Sequence, residues 1–172
     1  AVSRDGGRTW RWLGNRCVKG ASFRHRFGRN DSNLRFCFSV PYLEENFHEF
    51  LLRHGSSPHW KLKRLCRSEG GRDVEVLFAG RLDARPRHRI LLTARHHCCE
   101  MIASHVMEGL LEAVLRNDAL GRWFQSNVAI MAIPFVDKDG VEQGDQGKGR
   151  RPHDHNRDYQ GRSIYASVRA IR

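Results

Sequence analysis

The chain has 172 residues, with 30 Lys and Arg against 19 Asp and Glu and a formal charge of +11. That length allows one domain with a sizeable core, or one domain and part of another, and no apolar run reaches the roughly 20 residues needed to cross a bilayer. No signal-peptide pattern opens the chain, and the five unpatterned cysteines, Cys17, Cys37, Cys66, Cys98 and Cys99, suit a reduced compartment. A cytoplasmic protein without a membrane partner is expected. The positive charge can recruit nucleic acid or an acidic protein, but arginine is spread over the whole length and no basic platform is interleaved with aromatics. Nucleic acid is therefore not expected as a partner.

Residues 1–40 read as β structure, with a turn at Asp5-Gly6-Gly7, an aromatic strand carrying Trp10 and Trp12, and a clean polar–apolar alternation over Leu34–Val40 that predicts one buried face. So few strands make a poor independent domain, and residues 1–42 are expected to be the end of a β-sandwich. Leu43, Phe47, Phe50, Leu51 and His54 predict an amphipathic helix that stops at Gly55. A short strand over Leu62–Cys66, a turn at Glu69-Gly70-Gly71 and a strand through Val74, Val76 and Phe78 follow, then a charged connection from Asp83 to Arg89.

Ile90, Leu91, Leu92 and Thr93 read as a buried strand, and Ile102, Val106, Leu110 and Val114, flanked by Met107, Leu111 and Leu115, recur at helical spacing. Val128–Ile133 is a continuous apolar run, as for a strand buried on both faces of a parallel sheet, so strand, helix and strand form a βαβ unit. A glycine-rich stretch from Pro134 to Arg157 lacks periodicity, and a long loop of that kind in a compact domain is usually functional or disordered. Ser163–Ile171 returns to a helical pattern.

Two constellations carry chemistry. His97 and Glu100 lie between the strand and the helix, at the sheet edge where ligands bind in open α/β folds. An imidazole and a carboxylate so spaced suit Zn²⁺, although a catalytic zinc needs a third protein ligand and an open position; the alternative is a glutamate capping a helix start beside a polar histidine. The second is Pro152-His153-Asp154-His155-Asn156-Arg157-Asp158-Tyr159, where an arginine can fork onto a carboxylate; the alternative is a solvated charged loop.

The ordered set TARHHCCE, HVMEGLLEAVL, IPFVDKDGV and HDHNRD, with Phe38-Ser39-Val40-Pro41-Tyr42 upstream, resembles the zinc carboxypeptidase family, in particular its cytosolic carboxypeptidase-like branch. The resemblance implies an α/β fold: part of a three-layer α/β/α domain with a mixed, mostly parallel sheet over residues 43–172, preceded by the end of the β-sandwich. It implies a Zn²⁺ enzyme acting on peptide or protein C-termini. His97 and Glu100 match its first two metal ligands, Asp154 the carboxylate behind the histidine, and Asn156 and Arg157 the pair that holds the substrate's terminal carboxylate. Arg150 is the expected cation for polarising the scissile carbonyl, with Lys148 and Arg151 as rivals.

Departures accompany the matches. Cys98-Cys99 stands where many members have Pro-Gly, and bland half-buried thiols are expected there rather than zinc ligands. The family's third ligand and its general-base glutamate lie downstream of the Asn-Arg pair, whereas this chain has no histidine after His155 and no glutamate after Glu142. Starting at Ala1 and stopping at Arg172, it reads as an internal fragment, inactive alone. The rival expectation is a non-catalytic module that binds C-termini, and acidic tails are the substrate class that suits the charge.

Overall fold

The computed structural model describes residues 1–29, 31–83 and 85–172. Asn30, within the expected β region, and Ala84, within the Asp83–Arg89 connection, lie outside the described residues. The chain divides into two units, Ala1–Pro41 and Tyr42–Arg172.

In the first unit the strands are much shorter than the alternation suggested. β1 (Val2–Ser3) pairs antiparallel with β4 (Arg35–Phe36), and β2 (Val18–Lys19) with β3 (Ser22–Phe23). The expected strand around Trp10 and Trp12 reduces to a single bridge between Val2 and Arg11. The expected buried face of Leu34–Val40 is not formed either, because Phe36 and Phe38 stay exposed, Phe38 at 72%. Phe36 instead meets Phe23, His25 and Phe27 edge-on or tilted in a small aromatic cluster.

The second unit is built on a four-stranded sheet. α1 (Glu44–His54) precedes β5 (Trp60–Arg67), β6 (Asp73–Gly80) and β7 (His88–Thr93); α2 (Ile102–Leu115) and α3 (Ala119–Asn127) lead to β8 (Val128–Ile133); α4 (Lys138–Gln143) and α5 (Ala166–Ile171) follow. The strand order is β5-β6-β8-β7, with β7 and β8 parallel and the other two joins antiparallel, so the sheet is mixed. Alternation sends Leu77, Ala79, Val128, Ile130 and Ala132 into a core with Phe47 and Phe50 of α1 and Met107, Leu111 and Val114 of α2. The opposite parity, Val74, Val76 and Ile133, packs with Val136 and Val168 of α5. Helices thus lie on both faces.

Two sequence expectations change here. Among the described residues β7 is an edge strand rather than a buried one, with β8 as its sole partner, and Leu91 is 53% exposed. Three consecutive apolar residues look alike in an edge strand and a central one. In α2 the buried stripe is Met107, Leu111 and Val114, whereas Ile102, Val106 and Leu110 face outward. The helix carries two apolar stripes at the same spacing, and only one of them meets the sheet.

Gly80 closes β6 with φ of 85°, and a Cβ placed there would overlap the Val128 carbonyl oxygen on the adjoining strand. Gly80→Ala is expected to destabilise the chain by at least about 2 kcal/mol through strain and displaced backbone. Urea melts that show an unchanged midpoint would contradict this close approach.

Candidate metal centre

β7 and β8 remain tied beyond the end of the ladder. Ala94 N–H donates to Ile133 O at 3.1 Å, Val136 N–H to Ala94 O at 3.0 Å and Asp137 N–H to Arg95 O at 3.0 Å. The chain then leaves the sheet at Arg95, whose φ of 61° turns it into the left-handed region. His96–Glu100 form a tight turn closed by Glu100 N–H donating to His97 O at 3.1 Å, and α2 begins two residues later. This reversal puts His97 and Glu100 on one short segment at the carboxyl end of a parallel strand.

The His97 ring lies between two carboxylates. Its Nδ1 is 3.1 Å from Glu100 Oε1, and its Nε2 is 3.4 Å from Asp154 Oδ2. Asp154 uses its other oxygen as a helix cap, with Oδ1 accepting Arg157 N–H at 3.2 Å, so the turn His155–Arg157 is fastened to the same carboxylate. Lys148 Nζ lies 3.3 Å from Glu100 Oε1. Burial works against ionisation of Glu100, but the hydrogen bonds from His97 and Lys148 outweigh it and hold the carboxyl below its usual range.

The donor set fits a zinc ion. Two ligand atoms at about 2.0–2.1 Å on a tetrahedral zinc are about 3.3 Å apart, and His97 Nδ1 and Glu100 Oε1 are separated by 3.1 Å. A carboxylate behind the other ring nitrogen is the usual means of fixing a ligating histidine's tautomer.

The remaining sequence candidates are placed differently. Asn156 and Arg157 are exposed, and among the described residues neither makes a side-chain hydrogen bond. Arg150 is turned toward Asp137, with Nε donating to Oδ2 at 2.7 Å, and toward Asp145 at 3.1 Å. Of the three loop cations, Lys148 is the one beside Glu100, and Arg151 is exposed. Cys98 is buried and its thiol is pushed up to about 12, chiefly by burial; Sγ donates to Asp145 O at 3.0 Å. It points between Gly140 and Gly147, away from a thiolate's role as ligand. His96 bonds the Tyr159 hydroxyl at 2.8 Å, His153 bonds Asp158 at 2.6 Å, and His155 stacks on Tyr165.

Sequence reasoning missed several supports. Asp137, 1% exposed, caps α4 through Gly140 N–H at 3.0 Å and grips Arg150. Lys138, fully buried, bonds both oxygens of Glu75 at 2.9 and 3.0 Å and Glu44 at 3.0 Å. With His48, those two carboxylates form a second group whose donor atoms lie within 4.8 Å of one another. The Lys138 ammonium already bonds both carboxylates of that group. The Glu44-x-x-x-His48 spacing was its one legible signal.

A family model described as zinc carboxypeptidase matches residues 52–167. Cytosolic carboxypeptidase 3 of Bos taurus is 25% identical over 142 residues, covering 78% of this chain and 14% of its own length. Cytosolic carboxypeptidase 6 of Caenorhabditis elegans is 28% identical over 147 residues, covering 77% of this chain and 31% of its own. Among solved structures, a metallo-carboxypeptidase from Burkholderia cenocepacia shares the fold with a TM-score of 0.66 at 23% identity, over 77% of this chain and 37% of that one. The chain therefore spans well under half the length of each of these relatives.

Asp158 makes the loop's acid sensitivity measurable. Burial raises its pKa, but bonds from His153 and from the N–H groups of Tyr165 and Ile164 prevail and hold it below the ordinary carboxylate value. A depressed folded pKa contributes stability above the unfolded value of about 3.9 and loses it as pH falls through the folded one. Urea midpoints are expected to drop more steeply between pH 5 and 2 in the wild type than in Asp158→Asn, and equal slopes would contradict the assignment.

Proposed function

The chain belongs to the zinc carboxypeptidase family, and from that premise we propose that it carries half of a zinc centre and the grip on a substrate's C-terminus. Members of this family use Zn²⁺ and act on peptide or protein C-termini. The observation that carries the reading is the division of the His97 ring nitrogens, Nδ1 toward Glu100 and Nε2 toward Asp154.

His97 and Glu100 would hold the metal, which when bound activates water and polarises the scissile carbonyl. Asp154, 3.4 Å from Nε2, would hold the imidazole in the tautomer that offers Nδ1 to the metal in place of its present contact with Glu100. Arg157 and Asn156, exposed and unengaged, would bind the terminal carboxylate, and a chain end without a free carboxylate leaves the guanidinium fork unsatisfied. For the cation that stabilises the developing oxyanion, the expected Arg150 is engaged by Asp137 and Asp145. Lys148, beside Glu100, is the better-placed candidate.

Within these residues no histidine follows His155 and no glutamate follows Glu142, so the family's third ligand and general base are not supplied by them. On this reading the 172 residues bind zinc weakly and do not turn over by themselves. Residues 1–42 are read as the end of a β-sandwich, acidic C-terminal tails as the substrates that suit a charge of +11, and the cytoplasm as the compartment. A second reading, a non-catalytic module that captures C-termini, is favoured by the free Asn156 and Arg157 side chains.

Zinc titration of the chain tests the first reading. His97→Ala and Glu100→Gln are each expected to weaken binding more than about ten-fold, and unchanged affinity in both would refute the ligand assignment. Peptide binding tests the grip. Arg157→Ala is expected to remove about 1.5–3 kcal/mol of affinity for a free C-terminus and none for its amidated form. A longer protein containing this chain should release C-terminal residues with zinc; persistent inactivity, with binding retained, would leave the non-catalytic module.

A further inference from the structure

We propose that Arg95 is a positioning residue for the metal centre, one whose guanidinium sets the spacing of His97 and Glu100. The proposal rests on reading those two residues as ligands. Arg95 is 3% exposed although it carries a permanent charge. Nε donates to Cys98 O at 2.9 Å, a second nitrogen donates to the same oxygen, and the third donates to Tyr42 O at 2.8 Å and Ser104 Oγ at 3.0 Å. Among the described residues no carboxylate pairs with it. The charge is solvated directly by neutral acceptors and by the face of Phe135, 5.9 Å away.

Burying a guanidinium on neutral acceptors is costly, so the arrangement calls for something that only a guanidinium does. Its acceptors belong to three segments: the turn between the two ligands, the first turn of α2, and Tyr42 ahead of α1. The Cys98 carbonyl is the midpoint of the ligand turn. Two bonds from a side chain three residues earlier converge on that carbonyl oxygen and restrain the peptide plane, and with it the peptides leading to His97 and Glu100. The Arg95 backbone is fixed independently, by Asp137 N–H on its carbonyl and by its left-handed φ. The two ligands therefore hang from a bracket anchored to β8 and α2. A lysine retains the charge but not the planar fork.

Zinc affinity of the 172-residue chain, measured by competition with a chromogenic chelator alongside thermal melts followed by circular dichroism, tests this. Below its melting temperature, folded Arg95→Lys is expected to bind zinc about ten- to hundred-fold more weakly, the range found for outer residues that orient ligands. A purely structural role would lower the melting temperature and leave the affinity of the folded protein unchanged, and that result would overturn the proposal. Ser104→Ala removes one anchor and keeps the guanidinium; about two- to ten-fold weakening is expected, and it decides the matter if Arg95→Lys does not fold. Glu100→Gln is the control. Its loss of affinity with both other variants unaffected overturns the positioning role alone, whereas no loss in Glu100→Gln overturns the ligand reading and this proposal with it.

Discussion

An imidazole held between two carboxylates needs a positive charge, and that need organises the end of β7. His97 faces Glu100 at 3.1 Å and Asp154 at 3.4 Å; its side chain and that of Asp154 are 15% and 11% exposed, so water screens that pair poorly, whereas Glu100 is 48% exposed. The Lys148 ammonium at Glu100 supplies one such charge, and on the proposed reading a divalent cation held by His97 and Glu100 would supply another. Nε2 is matched to Asp154 on the far side, so the near side presents a nitrogen and an oxygen at ligand spacing with Glu100 open to solvent.

The rest of the second unit serves to hold that spacing. β8 and β6 are buried on both faces and form the rigid middle of the sheet. Just past the end of β8 come the two buried anchors of the loop region: Asp137, which caps α4 and binds Arg150, and Lys138, which joins α4 to β6 and α1 through Glu75 and Glu44. The glycines of the loop permit close approach where it counts. A Cβ on Gly147 would lie 2.7 Å from Cys98 N and 3.1 Å from His97 Cα, so the loop carrying Lys148 can pack directly on the turn that carries His97 and Glu100.

Elements with strong periodicity were legible in the sequence: α1 with its stop at Gly55, the alternation of Val74, Val76 and Phe78 in β6, and the βαβ unit with His97 and Glu100 on the turn between its strand and helix. The N-terminal alternation misled because alternation reports a half-buried pleat only where a partner strand exists, and β4 has two residues of partner. α3 was not expected, since its nine residues are capped by Asp118 and packed through Gly121 rather than along an apolar stripe. The pairing of Asp154 with His97 joins residues far apart in the chain, and resemblance alone brought them together beforehand. Choosing among Lys148, Arg150 and Arg151 was beyond pattern reading, because a loop without periodicity gives no sign of which cation turns inward. Arg95 could have been suspected, as an arginine that directly follows the apolar strand end Thr93-Ala94.

The two nitrogens of His97 face different partners, Nδ1 toward Glu100 and Nε2 toward Asp154. Nitrogen-15 NMR of the imidazole during zinc addition tests it most directly. On this account, the His97 Nδ1 resonance moves to the metal-bound range while Nε2 stays protonated toward Asp154, and the cysteines are unperturbed. Zinc on Nε2, or on Cys98 or Cys99 with His97 unchanged, would contradict it.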